Sequence, residues 1–162
     1  MSTLAFLRNG VLAAMVMCFA ARGLADASRT ILDYGYGNQI SRSLVSILED
    51  GTVIHQEKAS GGGDLQTIDE ARLSARDAAA LQLAIAGASQ GEQEESEGGA
   101  TTLGSSSGWL VVYDRDRQQV NIHSIKRGDR PGDRNTVTKN QAPESYWILS
   151  LVNRYAKRKM PL

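Results

Sequence analysis

The chain has 162 residues, with 18 basic and 18 acidic side chains, two histidines and a single cysteine. A net charge of zero supplies no field to draw it onto nucleic acid or an anionic membrane. One cysteine excludes a disulfide framework and any cysteine-rich metal site.

Residues 1–27 read as a leader. Arg8 comes before the apolar run Val11–Ala21, and the small residues Ala25 and Ala27 come after it. Charge, short apolar run and small residues in that order describe a secretory signal peptide. The run is about half of the ~20 residues a spanning helix needs, so no stable membrane anchor is expected after cleavage. Cys18 leaves with the leader. The expectation is an exported domain, periplasmic or extracellular, that relies on its hydrophobic core.

Residues 28–42 form a lead-in. Tyr34-Gly35-Tyr36-Gly37 alternates aromatic residues with glycine, and the glycines argue against a central strand there. Residues 43–157 read as a single α+β domain. Its first hairpin centres on Asp50-Gly51, a two-residue turn signal. That register sets Ile47 opposite Ile54 and Val45 opposite Gln56, which splits the apolar residues between the two faces. Leu65 to Arg72 is a candidate third strand. Ser74 and Asp77 then resemble a capping box, and Ala78, Leu81, Ile85 and Ala88 make one helical stripe. Gly87 marks its end.

Residues 88–107 read as a flexible linker. They are rich in Gly, Ser, Gln and Glu, with Leu103 the one large apolar residue. Such a stretch buries too little apolar surface to offset its ordering entropy. A second hairpin follows, with Asp114 to Arg117 or Arg115 to Gln118 as its loop. Either loop puts Trp109, Val111, Tyr113, Val120 and Ile122 on one face. Residues 127–134 are a polar loop. The last helix opens at Pro143 and carries a stripe of Ile148, Leu151, Val152 and Tyr155, widened by Trp147 and Leu149. This helix is the expected cover for the Trp109 face. Lys157, Arg158 and Lys159 complement its negative end, and residues 158–162 are a basic tail. The expected fold is α+β: an antiparallel sheet of about four strands, made of two hairpins, with two helices on one face in the order ββα-linker-ββα.

The motifs that could carry chemistry lack their context. Gly104 to Gly108 matches G-x-S-x-G, but a strand follows it where a nucleophile elbow needs a helix. His55 and His123 lack metal-ligand spacing. Asp114-Arg115-Asp116 lacks the glycine and terminal glutamate of a calcium loop. Arg127-Gly128-Asp129 is the tripeptide that integrins read, in a loop whose composition produces it readily by chance. No cofactor is implied.

The order of elements resembles that of emfourin-type protein inhibitors of bacterial metalloproteases. The matching pieces are Leu73-Ser74 with Ala78 and Leu81, the Trp109–Ile125 hairpin and the Pro143–Lys157 helix. The resemblance implies an inhibitor or immunity-type role and assigns no functional residue. The expected function is a small, non-catalytic protein-binding domain of the bacterial envelope or exterior. The partner would meet the polar loops, with Arg127, Asp129, Arg130, Arg134, Glu94 and Glu95 as candidate contacts. The alternative is an envelope accessory protein that associates with itself through a strand edge.

Overall fold

The computed structural model describes residues 28–38, 40–58 and 66–161. The expected leader lies outside these residues. The described elements run β1 (Thr30–Gly37), β2 (Arg42–Leu48), β3 (Thr52–Lys58), β4 (Gln66–Arg72), α1 (Ala75–Ala88), β5 (Gln93–Ala100), β6 (Ser107–Tyr113), β7 (Gln119–Lys126), β8 (Arg134–Asn140) and α2 (Pro143–Asn153). The strands form one eight-stranded sheet in the order β4-β3-β2-β1-β6-β7-β8-β5. Every pairing in it is antiparallel.

This corrects the four-strand, ββα-linker-ββα expectation. The fold is α+β in the broad sense, but each helix closes a unit of four strands. The missing strands have physical reasons. The Tyr-Gly stretch is β1, paired on both sides at the middle of the sheet. Its glycines are tolerated because a neighbouring side chain fills the space above Gly35. The acidic stretch at 93–97 opens β5, an edge strand exposed at every position but Gly98 and bonded to β8 alone. An edge strand can hold by backbone bonds on one side, so it needs no apolar alternation. Its three glutamates also blunt the free edge against pairing with another chain.

Both hairpins turn with one residue more than the sequence reading allows, and this re-sorts their faces. The first uses a three-residue loop, in which Gly51 has φ +84° and donates to the Leu48 carbonyl. Ile47 therefore faces Val53, and Val45 faces His55. The second uses a five-residue loop, 114–118, with Arg117 at φ 64° and Asp114 donating to the Gln118 carbonyl. Tyr113 then faces Gln119 and Val111 faces Asn121. A one-residue change of register moves a strand's whole apolar set across the sheet. A bulge at Ile122, between Leu110 opposite His123 and Val111 opposite Asn121, completes the second pairing.

The core consequently sits on the other side from Trp109. Across the ladders, Ile47, Leu32, Val112 and Val120 form one row. Val45, Tyr34, Leu110 and His123 form the next. These rows join Leu81, Ile85, Ile148, Leu151 and Val152 of the helices in one hydrophobic cluster, from which Trp109 and Val111 are absent. The expected cover of Trp109 by the last helix is overturned, because α2 packs against the Leu110 side.

Local chemistry sets the helices. Ser74 caps α1 by accepting from the Asp77 amide at 3.0 Å. The Asn140 side chain joins the two helices: it donates to the Ala88 carbonyl at 2.8 Å and accepts from the Ala142 amide at 2.9 Å. The last helix stops at Asn153, so Lys157 to Lys159 lie past its final turn. The Asn153 side chain donates to the Met160 carbonyl and accepts from its amide, at 2.9 and 3.2 Å. Met160 enters the core at 1% exposure. Its amide donates to the Tyr34 hydroxyl at 2.9 Å, and that hydroxyl donates to the Arg158 carbonyl at 2.5 Å. The segment read as a basic tail is thus tied to the central strand.

Truncating a core residue should cost far more than truncating its neighbour on the open side. Leu110→Ala is expected to lose roughly 2–5 kcal/mol, and Leu44→Ala less than half of that, in urea denaturation followed by circular dichroism.

Candidate functional site

The sheet face opposite the helices is uncovered among the described residues. By register it carries Arg42, Leu44 and Ser46 of β2, Asp33 and Gly35 of β1, and Trp109, Val111 and Tyr113 of β6, with Val111 itself buried at 5% exposure. Beyond them lie the polar Asn121, Ser124 and Thr138. The border is polar on the β7–β8 side, while on the other side Ile54 of β3 continues the apolar part beside Ser46.

Gly35 builds the centre of this face. A Cβ there would lie 2.6 Å from two carbons of the Trp109 ring and 2.9 Å from a Leu44 methyl. The indole therefore lies across the bare backbone of β1 and stays half-buried. The Arg42 guanidinium sits over it, 5.1 Å from the ring centre, and donates to the Ser107 hydroxyl at 3.2 Å. The arrangement repeats at the other end of β6. The Arg117 guanidinium lies 5.3 Å from the Tyr113 ring centre and donates to the Thr30 carbonyl at 3.0 Å. Each arginine is held by both an aromatic face and a hydrogen bond, which limits the entropy it would lose on binding.

A short polar chain fixes the Tyr113 end. The Asp33 carboxylate accepts from the Ser46 hydroxyl at 2.6 Å and from the Tyr113 hydroxyl at 3.1 Å. Burial raises the pKa of Tyr113, and the Asp33 carboxylate adds to this while Arg117 opposes it. The phenol therefore remains a neutral donor to Asp33.

The six candidate contacts from the sequence fall elsewhere, at one corner of the sheet. Glu94 and Glu95 point to opposite faces of the edge strand β5. Asp129 and Arg130 are exposed in the β7–β8 loop. Arg134 starts β8, and its guanidinium donates to the Gly98 carbonyl at 3.5 Å. Arg127 donates to the Thr102 carbonyl at 2.9 Å. The two polar segments are sewn together at Thr101, which is only 2% exposed. Its amide donates to the Asp133 carbonyl and its carbonyl accepts from the Gly132 amide. Its hydroxyl accepts from the Gly128 amide and donates to the Asn135 side chain. The structure thus brings Arg127, Arg134 and β5 together but leaves Trp109 and Arg42 on a different surface. The sequence reading placed Trp109 in the core; the signal that could have moved it out is Gly35, which lies directly opposite it on the neighbouring strand.

The histidines do not meet. His55 shares a 3.1 Å hydrogen bond with the buried Ser43 hydroxyl, and the Lys157 amide donates to that same oxygen at 3.3 Å. Strands β2, β1 and β6 lie between the strands of His55 and His123, so the two cannot share a metal ion. His123 is 4% exposed, and burial together with the Lys139 ammonium lowers its pKa from 6.5 to about 4.

No family model, curated protein or solved structure matches this chain.

Two outcomes test this geometry. In a Trp147→Phe background, Gly35→Ala should lift the Trp109 indole off β1, seen as a red shift of its fluorescence and greater quenching by iodide. The lowered pKa of His123 means that the unfolded chain takes up its proton first. Stability should therefore fall as pH drops from 6.5 toward about 4. His123→Gln should shrink the difference in unfolding free energy between about pH 7 and about pH 4.5 by on the order of 2 kcal/mol, measured by urea denaturation.

Proposed function

We propose that this chain is an exported, non-catalytic protein-binding domain that docks its partner on the open face of the sheet. The observation that carries the reading is the cluster of Trp109 under Arg42 and Tyr113 under Arg117 on an uncovered face. Tryptophan, tyrosine and arginine are the side chains most enriched at binding hot spots. Here Trp109, Tyr113 and Arg42 rise from paired strands, and Arg117 rises from the β6–β7 turn where a hydrogen bond to the Thr30 carbonyl holds it, so their positions are set before any partner arrives. The two arginines, one at each end of β6, favour a partner surface that presents carboxylates. The signal-like order of residues 1–27 supports export, and the emfourin resemblance supports an inhibitor or immunity-type partner. The charged edges β4 and β5 weigh against self-association through strand pairing.

Affinity capture from periplasm or culture medium tests the reading. The full chain should retain a protein that Arg42→Ala and Trp109→Ala each lose, while the double variant Arg127→Ala with Arg134→Ala keeps it. Capture lost only in the second case would move the site to the β5–β8 corner. Identical capture by all four proteins would end the proposal.

A further inference from the structure

The chain is neutral as a whole but not from end to end. The ladders place the β1–β2, β5–β6 and β7–β8 connections at one end of the sheet, where Gly37 faces Arg42 and Ser107, and Lys126 faces Thr136. Lys58 lies opposite Arg42 at that end. Arg127, Arg130 and Arg134 follow in and beside the β7–β8 loop. The segment after α2 crosses the helix side of the same end. There the Lys157 amide donates to the Ser43 hydroxyl at 3.3 Å, and the Met160 methyl lies beside Gly108. Lys157, Arg158 and Lys159 are all exposed. Among the described residues the carboxylates at this end are Glu57, Glu97, Asp129 and Asp133. Glu57 is paired with the Lys157 ammonium at 3.1 Å, and Asp133 accepts from the Arg130 amide at 2.9 Å. The cations outnumber them, whereas the turns at the other end mix Glu49, Asp50, Asp114 and Asp116 with Arg115 and Arg117.

Two aliphatic side chains project from this same cationic end. Ile40 in the β1–β2 turn is 65% exposed, and Leu103 in the β5–β6 loop is 87% exposed. Each rides on a turn closed by its own hydrogen bonds. The Asn38 side-chain oxygen accepts from the Ile40 and Ser41 amides, both at 3.0 Å. The Ser105 hydroxyl accepts from the Thr102 amide at 2.7 Å, and the Ser105 amide donates to the Thr102 carbonyl at 3.1 Å. Arg127 donates to that carbonyl too, which sets a cation beside the leucine. One exposed aliphatic residue is ordinary. Two of them, held at turn tips inside a rim of lysine and arginine, match what an anionic lipid surface binds: apolar groups for the acyl boundary and cations for the head groups.

We propose that this end of the sheet seats on an anionic lipid bilayer, with Ile40 and Leu103 entering the head-group layer and the surrounding cations facing lipid phosphates. A nucleic acid offers the charge but no apolar layer for the tips, and a neutral bilayer offers the layer but not the charge. The attachment is peripheral, since no helix among the described residues is long and apolar enough to cross a membrane. The strands then run toward the lipid, and the open face carrying Trp109 stands to the side of it, free to meet a protein.

Co-sedimentation with vesicles of phosphatidylcholine, and of phosphatidylcholine mixed with phosphatidylglycerol, tests the proposal. The apolar run Val11–Ala21 would itself bind lipid, so the chain is measured with and without residues 1–27, which contain none of the described elements. Both forms should bind the mixed vesicles at least about tenfold more tightly than the neutral ones, and this preference should vanish near 1 M salt, where the screening length falls to about 3 Å. Without residues 1–27, Ile40→Ser combined with Leu103→Ser should weaken binding to the mixed vesicles at least about tenfold. Lys126→Ala combined with Arg158→Ala and Lys159→Ala should remove most of the preference. Leu83→Ser combined with Arg115→Ala, away from this end, should change neither. All of these side chains are exposed, so each variant should keep the circular dichroism of the parent. Equal binding to the two kinds of vesicle overturns the proposal. So does unweakened binding by the Ile40→Ser, Leu103→Ser variant, and its retention on immobilised DNA would then assign the cationic end to nucleic acid.

Discussion

The β1–β6 ladder is the constraint on which the rest of this molecule depends. Among the described residues it is the one strand ladder that joins the two four-strand units. Its register sets both faces at once. On one side Leu32, Tyr34 and Tyr36 meet Val112, Leu110 and Gly108; on the other Asp33, Gly35 and Gly37 meet Val111, Trp109 and Ser107. The first set is what the helices bury. The second is what they leave open. A shift of one residue would exchange the two sets and put a tryptophan, a carboxylate and two glycines under the helices.

The ladder's two sides therefore have different tasks. The covered side carries the stability, and its central tyrosine holds the end of the chain through Arg158 and Met160. The open side carries residues whose apolar surface is only half satisfied within the chain. Trp109 lies on the bare backbone of Gly35 and under Arg42, and neither contact hides it fully. A side chain so placed is rigid and still has surface to offer, which is the condition for an interface anchor.

The polar segments on either side of β6 and β7 are less free than their composition implies. Thr101 binds one of them to the other through four hydrogen bonds, two from its backbone and two from its hydroxyl. The ordering entropy that composition alone cannot offset is met by backbone pairing to β8 and by this buried threonine. Glycine contributes by its small size here: a Cβ on Gly128 would lie 2.4 Å from the Asp133 Cβ.

Much of the local structure could be read from residue order. The capping serine at Ser74, the buried stripes Leu81–Ile85–Ala88 and Ile148–Leu151–Val152, the start at Pro143 and the existence of both hairpins follow from short-range chemistry, which the sequence contains in full. The faces did not follow. In a strand the side-chain period is two, so one residue more in a turn reverses every assignment, and each of the two turns used here is one residue longer than its sequence signal implies. The central place of β1 and the edge place of β5 were equally hidden. A glycine-rich strand holds the centre only because Trp109 fills the gap above Gly35, and an acidic strand holds the edge only because β8 lies beside it. Both partners are distant in sequence, and only the folded sheet brings them together.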